Sequence, residues 1–242
     1  SGNELLSFVP ADTPYVAANL EPVPEEVLDS FLARLQPVLD TMQSQLTAVR
    51  GELESQQEDP GARLALALLT EFDGKLSRQG LESMGLDLRS KRVLYGMGAF
   101  PVVRVGLSDA GALRDTVLRV MDNAGITAPE QEFQGVSFWR LNNDDHSGVP
   151  AGFYISIFDD HLALSLFPTM AEAELLPAFL GLELPASNDA QARLEQLNKT
   201  HSYTGFGSGI LDVQKFADQF ISPDTVAGRA MAASGDFDPA TL

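Results

Sequence analysis

Two of the three histidines in this chain follow a pair of aspartates: "NNDDHSG" holds Asp144, Asp145 and His146, and "IFDDHLALS" holds Asp159, Asp160 and His161. Carboxylates beside an imidazole are donors for an oxygen- and nitrogen-ligated metal, and for metal-dependent hydrolysis with an aspartate as base and a histidine as ligand. With His201 they form the set of candidate ligands, since the chain has no cysteine and so no thiolate site, cysteine nucleophile or disulfide. Neither tripeptide has the i, i+4 pair that a helix aims at one ion, and adjacent strand residues point to opposite faces. A shared metal site therefore requires the fold to bring Asp144, Asp145 and His146 to the same end of a sheet as Asp159 and His161. The acidic loop 142–145 alone suits an adventitious calcium ion, and no cofactor is expected.

Other short motifs carry less chemistry. "GFGSG", Gly205 to Gly209, lacks the lysine of a phosphate loop and the spacing of a dinucleotide fingerprint. Phe206 and Ile210 stand where a nucleophile elbow around Ser208 needs glycines. This stretch and "GMG", Gly96 to Gly98, read as small strand residues at a close backbone approach. Trp139, the one tryptophan, adjoins Arg140 on a predicted strand, where it either stacks on a ligand or fills the sheet interior.

The elements that must position these residues are legible from periodicity. "GFYISIFDDHLALSLFP" alternates on both sides of its acidic tripeptide, which predicts a hairpin with Asp159, Asp160 and His161 at its tip. "KRVLYGMGAFPVVRVGL" predicts two short strands around "GAFP", and "EFQGVSFWRL" a strand with Phe133, Val136 and Phe138 inward. "SDAGALRDTVLRVMDNAG" predicts a helix capped by Ser108, with Leu113, Val117, Val120, Met121 and Ala124 on one face and Gly125 as its stop. Thr169 with Glu172 reads as a capping box, "SNDAQARLEQLNKTH" as a second capped helix, Asp212 as the cap of a third, and Pro223 as first-turn proline of a last one. Near the start, Leu28, Leu32, Leu35, Leu39, Met42, Leu46, Val49 and Leu53 recur at heptad spacing, with Pro37 marking a kink or a junction of two helices. After "SQQEDPG" the helical spacing resumes through Leu64, Leu68, Phe72 and Leu76. The pair predicts a long helical hairpin over 24–82, inserted after a first strand at Tyr15 to Leu20.

Three stretches, "YVAANLEPVPEEVLDSFLARL", "VVRVGLSDAGALRDTVLRVM" and "TGFGSGILDVQKFADQFI", each run from a small-residue strand through a polar cap into an amphipathic helix. The expected architecture is α+β: one globular domain over 1–242, with an antiparallel or mixed sheet, helices on one face, and the helical hairpin. The length of 242 residues and 44% hydrophobic composition suffice for a sizeable core. A formal charge of -18 repels a phosphate-lined partner, so nucleic acid is not expected as a ligand. No apolar run reaches the roughly 18 residues of a membrane span. The chain opens "SGNELLSF" without methionine and closes on "SGDFDPATL", so truncation at both ends is expected.

The order of "LLSFVPADTPYVAANLEP", "VVRVGLSDAGALRDTVLRVMDNAG", "FQGVSFWRL", "FDDHLALSLF" and "YTGFGSGILD" resembles a broad family of exported bacterial proteins, a domain of unknown function. In that family an "lPadT" opening precedes strand-helix units and a "y-x-G-v" strand. The resemblance spans most of the chain outside Leu28 to Leu81 and implies a periplasmic or lipid-anchored envelope location, with no catalytic residues to carry over. The leading expectation is thus a non-catalytic envelope protein that binds a protein or lipid-like partner through Leu28, Leu32, Leu35, Leu39, Met42, Leu46 and Trp139. The alternatives are a metal-dependent hydrolase using the DDH residues and a carrier of an apolar ligand, the hairpin closing over the sheet.

Overall fold

The computed structural model describes residues 2–56, 58–75, 77–143, 149–185 and 189–234, leaving aside the side chains of 39, 40, 42–48, 142 and 143. Its frame is a sheet of order β4-β5-β6-β7-β3-β2-β1-β8, antiparallel at every pairing. The strands are β1 (Tyr15–Ala18), β2 (Arg92–Met97), β3 (Phe100–Gly106), β4 (Gln131–Phe133), β5 (Val136–Asn143), β6 (Ala151–Ile157), β7 (His161–Pro168) and β8 (Ser208–Leu211). Tight turns explain the two shortest connections. Gln134 and Gly135 both take positive φ, which closes a two-residue hairpin at the Phe133↔Val136 pair. Gly96 must lack a side chain, because a Cβ there would stand 2.4 Å from the Gly98 carbonyl oxygen and 2.9 Å from the Tyr15 ring. The "GMG" motif is backbone crowding, as its composition predicts.

Alternation gives the sheet two unlike faces. On the inner face Val16, Tyr95, Val102, Tyr154 and Phe167 are buried, under Leu5 and Leu6 of an N-terminal 3₁₀ helix (Glu4–Phe8) and under two C-terminal helices. These are α5 (Glu172–Phe179), which supplies Leu176 and Phe179, and α6 (Ala190–His201), which supplies Ala190 and Leu194. Helices are not confined to that face, as the sequence reading has them: α4 (Ala110–Ala124) lies across the outer face, where Met121 meets Trp139 and Ile155. Asp109 rather than Ser108 caps α4, accepting from the Ala112 N–H, and Gly125 ends it at φ 63° in the left-handed region, as expected.

The described residues of segment 24–82 form α1 (Glu25–Ser55), α2 (Pro60–Phe72) and the start of α3 (Arg78–Ser83). The helix expected to run on through Leu81 breaks after Phe72, at Gly74 with φ 69°, and Ser77 starts α3 by accepting from the Gly80 N–H. α1 touches α2, yet α2 packs mainly on α4, its Ala67 against Val120 and Ala124. An antiparallel seam along α1 is not established, since Leu39, Met42 and Leu46 fall among the side chains outside the description. All three strand-helix repeats are present on the sheet, β1 leading to α1, β3 to α4, and β8 to α7 (Val213–Ile221), which Asp212 caps as expected. The Thr169–Glu172 capping box is absent: α5 has no side-chain cap, and Glu172 is engaged elsewhere. The last helix, α8 (Val226–Ser234), begins beyond Pro223. Among the described residues no helix is long and apolar enough to cross a membrane.

Candidate functional site

The most concentrated chemistry lies inside the sheet, around a buried arginine. Arg104 on β3 shares inner-face parity with Val102 and is fully buried, 0% exposed. A guanidinium out of water must place its donors, and each nitrogen of this one does. Nε donates to the Tyr95 hydroxyl at 3.1 Å, one terminal nitrogen lies 2.9 Å from His161 Nε2, and the other donates to the Phe179 carbonyl at 2.6 Å. The Phe8 ring closes the stack, with the guanidinium carbon 3.8 Å from its centroid. His161 is therefore not at a hairpin tip, as the sequence predicts, but the first residue of β7 and 4% exposed, stacked on Phe158 at 4.3 Å. The turn is made by Phe158, Asp159 and Asp160 alone.

This network fixes the imidazole. A guanidinium can only donate, so Nε2 accepts from Arg104 and the ring proton sits on Nδ1, donated to Asp160 at 2.6 Å. The order aspartate, histidine, third group copies two members of a hydrolytic triad, but an arginine stands where the nucleophilic hydroxyl belongs. Nε2 has no lone pair left for base catalysis, and neither nitrogen is open to a metal. Burial pushes the His161 pKa below its ordinary 6.5, and the Arg104 charge adds to that, against the opposing pull of Asp160. The sign follows from linkage. The folded state binds this proton more weakly than the unfolded chain, so the contribution of neutral His161 is fully present above pH 6.5 and is lost as pH falls below it. Between about pH 7.5 and 5.5 the unfolding free energy obtained from urea titration should decline, by up to about 1.4 kcal/mol per pH unit, and His161→Gln should flatten that decline. A wild-type profile as flat as the variant's would refute the assignment.

Of the other predicted ligands, the two that are described, Asp159 and His201, do not join His161. Asp159 is exposed on the turn, His201 ends α6 and stacks on Tyr203 at the surface, and Asp144, Asp145 and His146 lie outside the described residues. Among the described residues no three acidic or imidazole groups converge on a point that could hold a metal ion. A second polar cluster pairs Arg140 of β5 with Glu172 of α5 at 2.6 Å, and Tyr154 donates to the same carboxylate at 2.7 Å. Burial and that carboxylate both raise the Tyr154 pKa, so the phenol stays a hydrogen-bond donor and ties α5 to the sheet.

Open surface chemistry is found on the outer face. α4 covers β5 and β6, and Phe216 of α7 packs on Tyr15 at one end of β1, but the stretch between is uncovered. There Ala17, Leu94, Val103 and Val105 floor a cavity of about 480 Å³ with Phe206 and Arg92 at its margin. A second cavity, of about 440 Å³, continues past Arg92 and Phe206 beneath α1, lined by Val27, Phe31 and Leu35 with Leu81 and Leu88. Both volumes fall in the range of about 300–1,000 Å³ usual for small-molecule sites. Together they form one apolar trough whose floor is the sheet and whose wall is the first half of α1.

Of the predicted partner contacts, Leu28, Leu32 and Leu35 all line this trough, Leu28 as the most deeply buried of the three. Trp139 is also corrected: it is 1% exposed beneath α4, with the Arg114 guanidinium 4.9 Å from its ring centroid, and meets no partner. The sequence reading missed Phe31, 57% exposed, and Val27, because they fall off the heptad seam that directed attention to the leucines. It also missed Leu94, Val103 and Val105, although β3 is apolar at both parities, a pattern that demands cover on both faces of a sheet. No protein-family model, no curated protein and no solved structure matches this chain.

Proposed function

We propose that this chain is a non-catalytic binding protein of the bacterial cell envelope whose outer-face trough receives a lipid-like partner. The observation that carries the reading is the pair of adjoining apolar cavities, left open where α4 and α7 stop covering the sheet. An uncovered apolar stretch of this kind marks an interaction site. The polar networks support the non-catalytic part, since both His161 nitrogens are committed to Arg104 and Asp160, and the Tyr154 hydroxyl to Glu172 of α5. The envelope location rests on the resemblance of motif order alone.

N-phenyl-1-naphthylamine, an uncharged apolar dye, provides the test. Saturable fluorescence enhancement is expected with the wild-type protein, and Leu94→Asp or Phe31→Asp should weaken it roughly tenfold by placing a carboxylate in the trough. Both positions are surface-exposed, so the fold should tolerate either change. Absence of saturable binding by the wild-type protein, with its fold intact by circular dichroism, would remove the reading.

A further inference from the structure

Among the described residues Arg92 is the one charged residue lining either cavity, and it lines both. It sits at the first position of β2, with its side chain exposed and its backbone N–H and carbonyl held by Asn19 and Asn3. The neighbouring cations are neutralised. Arg78 pairs with Glu25, Asp29 and Glu82, Arg89 with Glu25, and Lys91 with Glu4. Among the described residues Arg92 forms no such pair. In a chain of formal charge -18, a guanidinium without a carboxylate, at the junction of two apolar cavities, is a local reversal of an otherwise anion-repelling surface.

On the reading of the trough as a lipid-binding site, we infer that its ligand is an anionic single-chain amphiphile, a fatty carboxylate by chemical class. Its headgroup pairs with Arg92 and its chain lies in the apolar cavities to either side. The geometry separates the two halves of such a ligand. Leu94, Val103 and Val105 on one side and Phe31, Leu35 and Leu81 on the other offer nothing polar to a headgroup, Asn19, Ser77 and Ser208 offer only uncharged groups, and the guanidinium presents a planar fork matched to a carboxylate. A neutral amphiphile would leave that fork unpaired as the chain displaces water around it.

Competition against N-phenyl-1-naphthylamine by dodecanoate and by dodecanol, both below micellar concentrations and at about pH 7.5, tests the inference. Dodecanoate should displace the dye at roughly tenfold lower concentration than dodecanol in the wild-type protein. In Arg92→Gln, read as the ratio of the two competitors rather than as dye affinity, dodecanoate and dodecanol should become equal, and Arg92→Glu should favour dodecanol. Normal dye binding with equal competitors in the wild type, or a preference that survives Arg92→Gln, would overturn the anionic assignment and leave the apolar site standing. No dye binding would overturn both, as would sedimentation showing that a second copy of the chain covers the trough.

Discussion

Replacing Arg104 with alanine is expected to lower the melting temperature by roughly 10 °C or more. Removing one member of a buried charged network typically costs about 3–5 kcal/mol, and 1 kcal/mol shifts a domain of this size by about 2–4 °C. The loss has identifiable parts. The Phe179 carbonyl loses the bond that anchors the end of α5, the Tyr95 hydroxyl and His161 Nε2 lose theirs, and Phe8 is left facing a void. Arg104→Met fills most of that space and removes the charge together with its desolvation, so it should recover part of the loss. Thermal unfolding followed by circular dichroism decides the matter: an alanine variant melting within about 2 °C of the wild type would show that the network carries little of the stability.

Trp139→Ala should be nearly as damaging, at about 3–5 kcal/mol, by emptying the small outer core that Trp139 forms with Met121 and Ile155. Arg114 would also lose the ring it covers. The variant separates an internal role from a contact role, because Trp139 lies under α4 and lines neither trough cavity. A large fall in melting temperature with unchanged dye binding at low temperature is the expected pair of results. Unchanged stability with lost binding would place the indole in the site instead.

The strands were readable because their pattern is local. β6 and β7 alternate cleanly, and the helix starting after Asp109 shows its apolar face and its glycine stop within one short stretch. The position of His161 was not readable in the same way. Whether an acidic tripeptide is wholly turn, or gives its third residue to the strand, depends here on a guanidinium 57 residues away in sequence. A signal was nevertheless present: in "VVRVG" Arg104 shares parity with Val102, so placing the valine inward places the arginine inward, and a buried arginine needs acceptors. The capping box failed for a related reason, since Glu172 forms stronger charged bonds with Arg140 than a helix N–H would offer. The trough was hidden because heptad spacing finds what packs together, and binding surfaces are built from the apolar residues that do not.

The pairing of β1 with β8 sets the order in which this molecule can be completed. Tyr15 lies opposite Leu211, so β1 waits during synthesis for a strand that follows it by almost the whole described chain. β2 and β3 pair through a tight turn and β4 through β7 pair in sequence, so these hairpins can form while the chain is still emerging, with β3 joining β7 across the α4–β6 stretch and β1 docking on β2 after the α1–α3 excursion. Until Ser208 arrives, β1 is a bare edge with its N–H and carbonyl groups open to any passing strand. The four residues of β8 thus act as a late cover over β1, and a nascent chain halted before them leaves that edge open to mispairing.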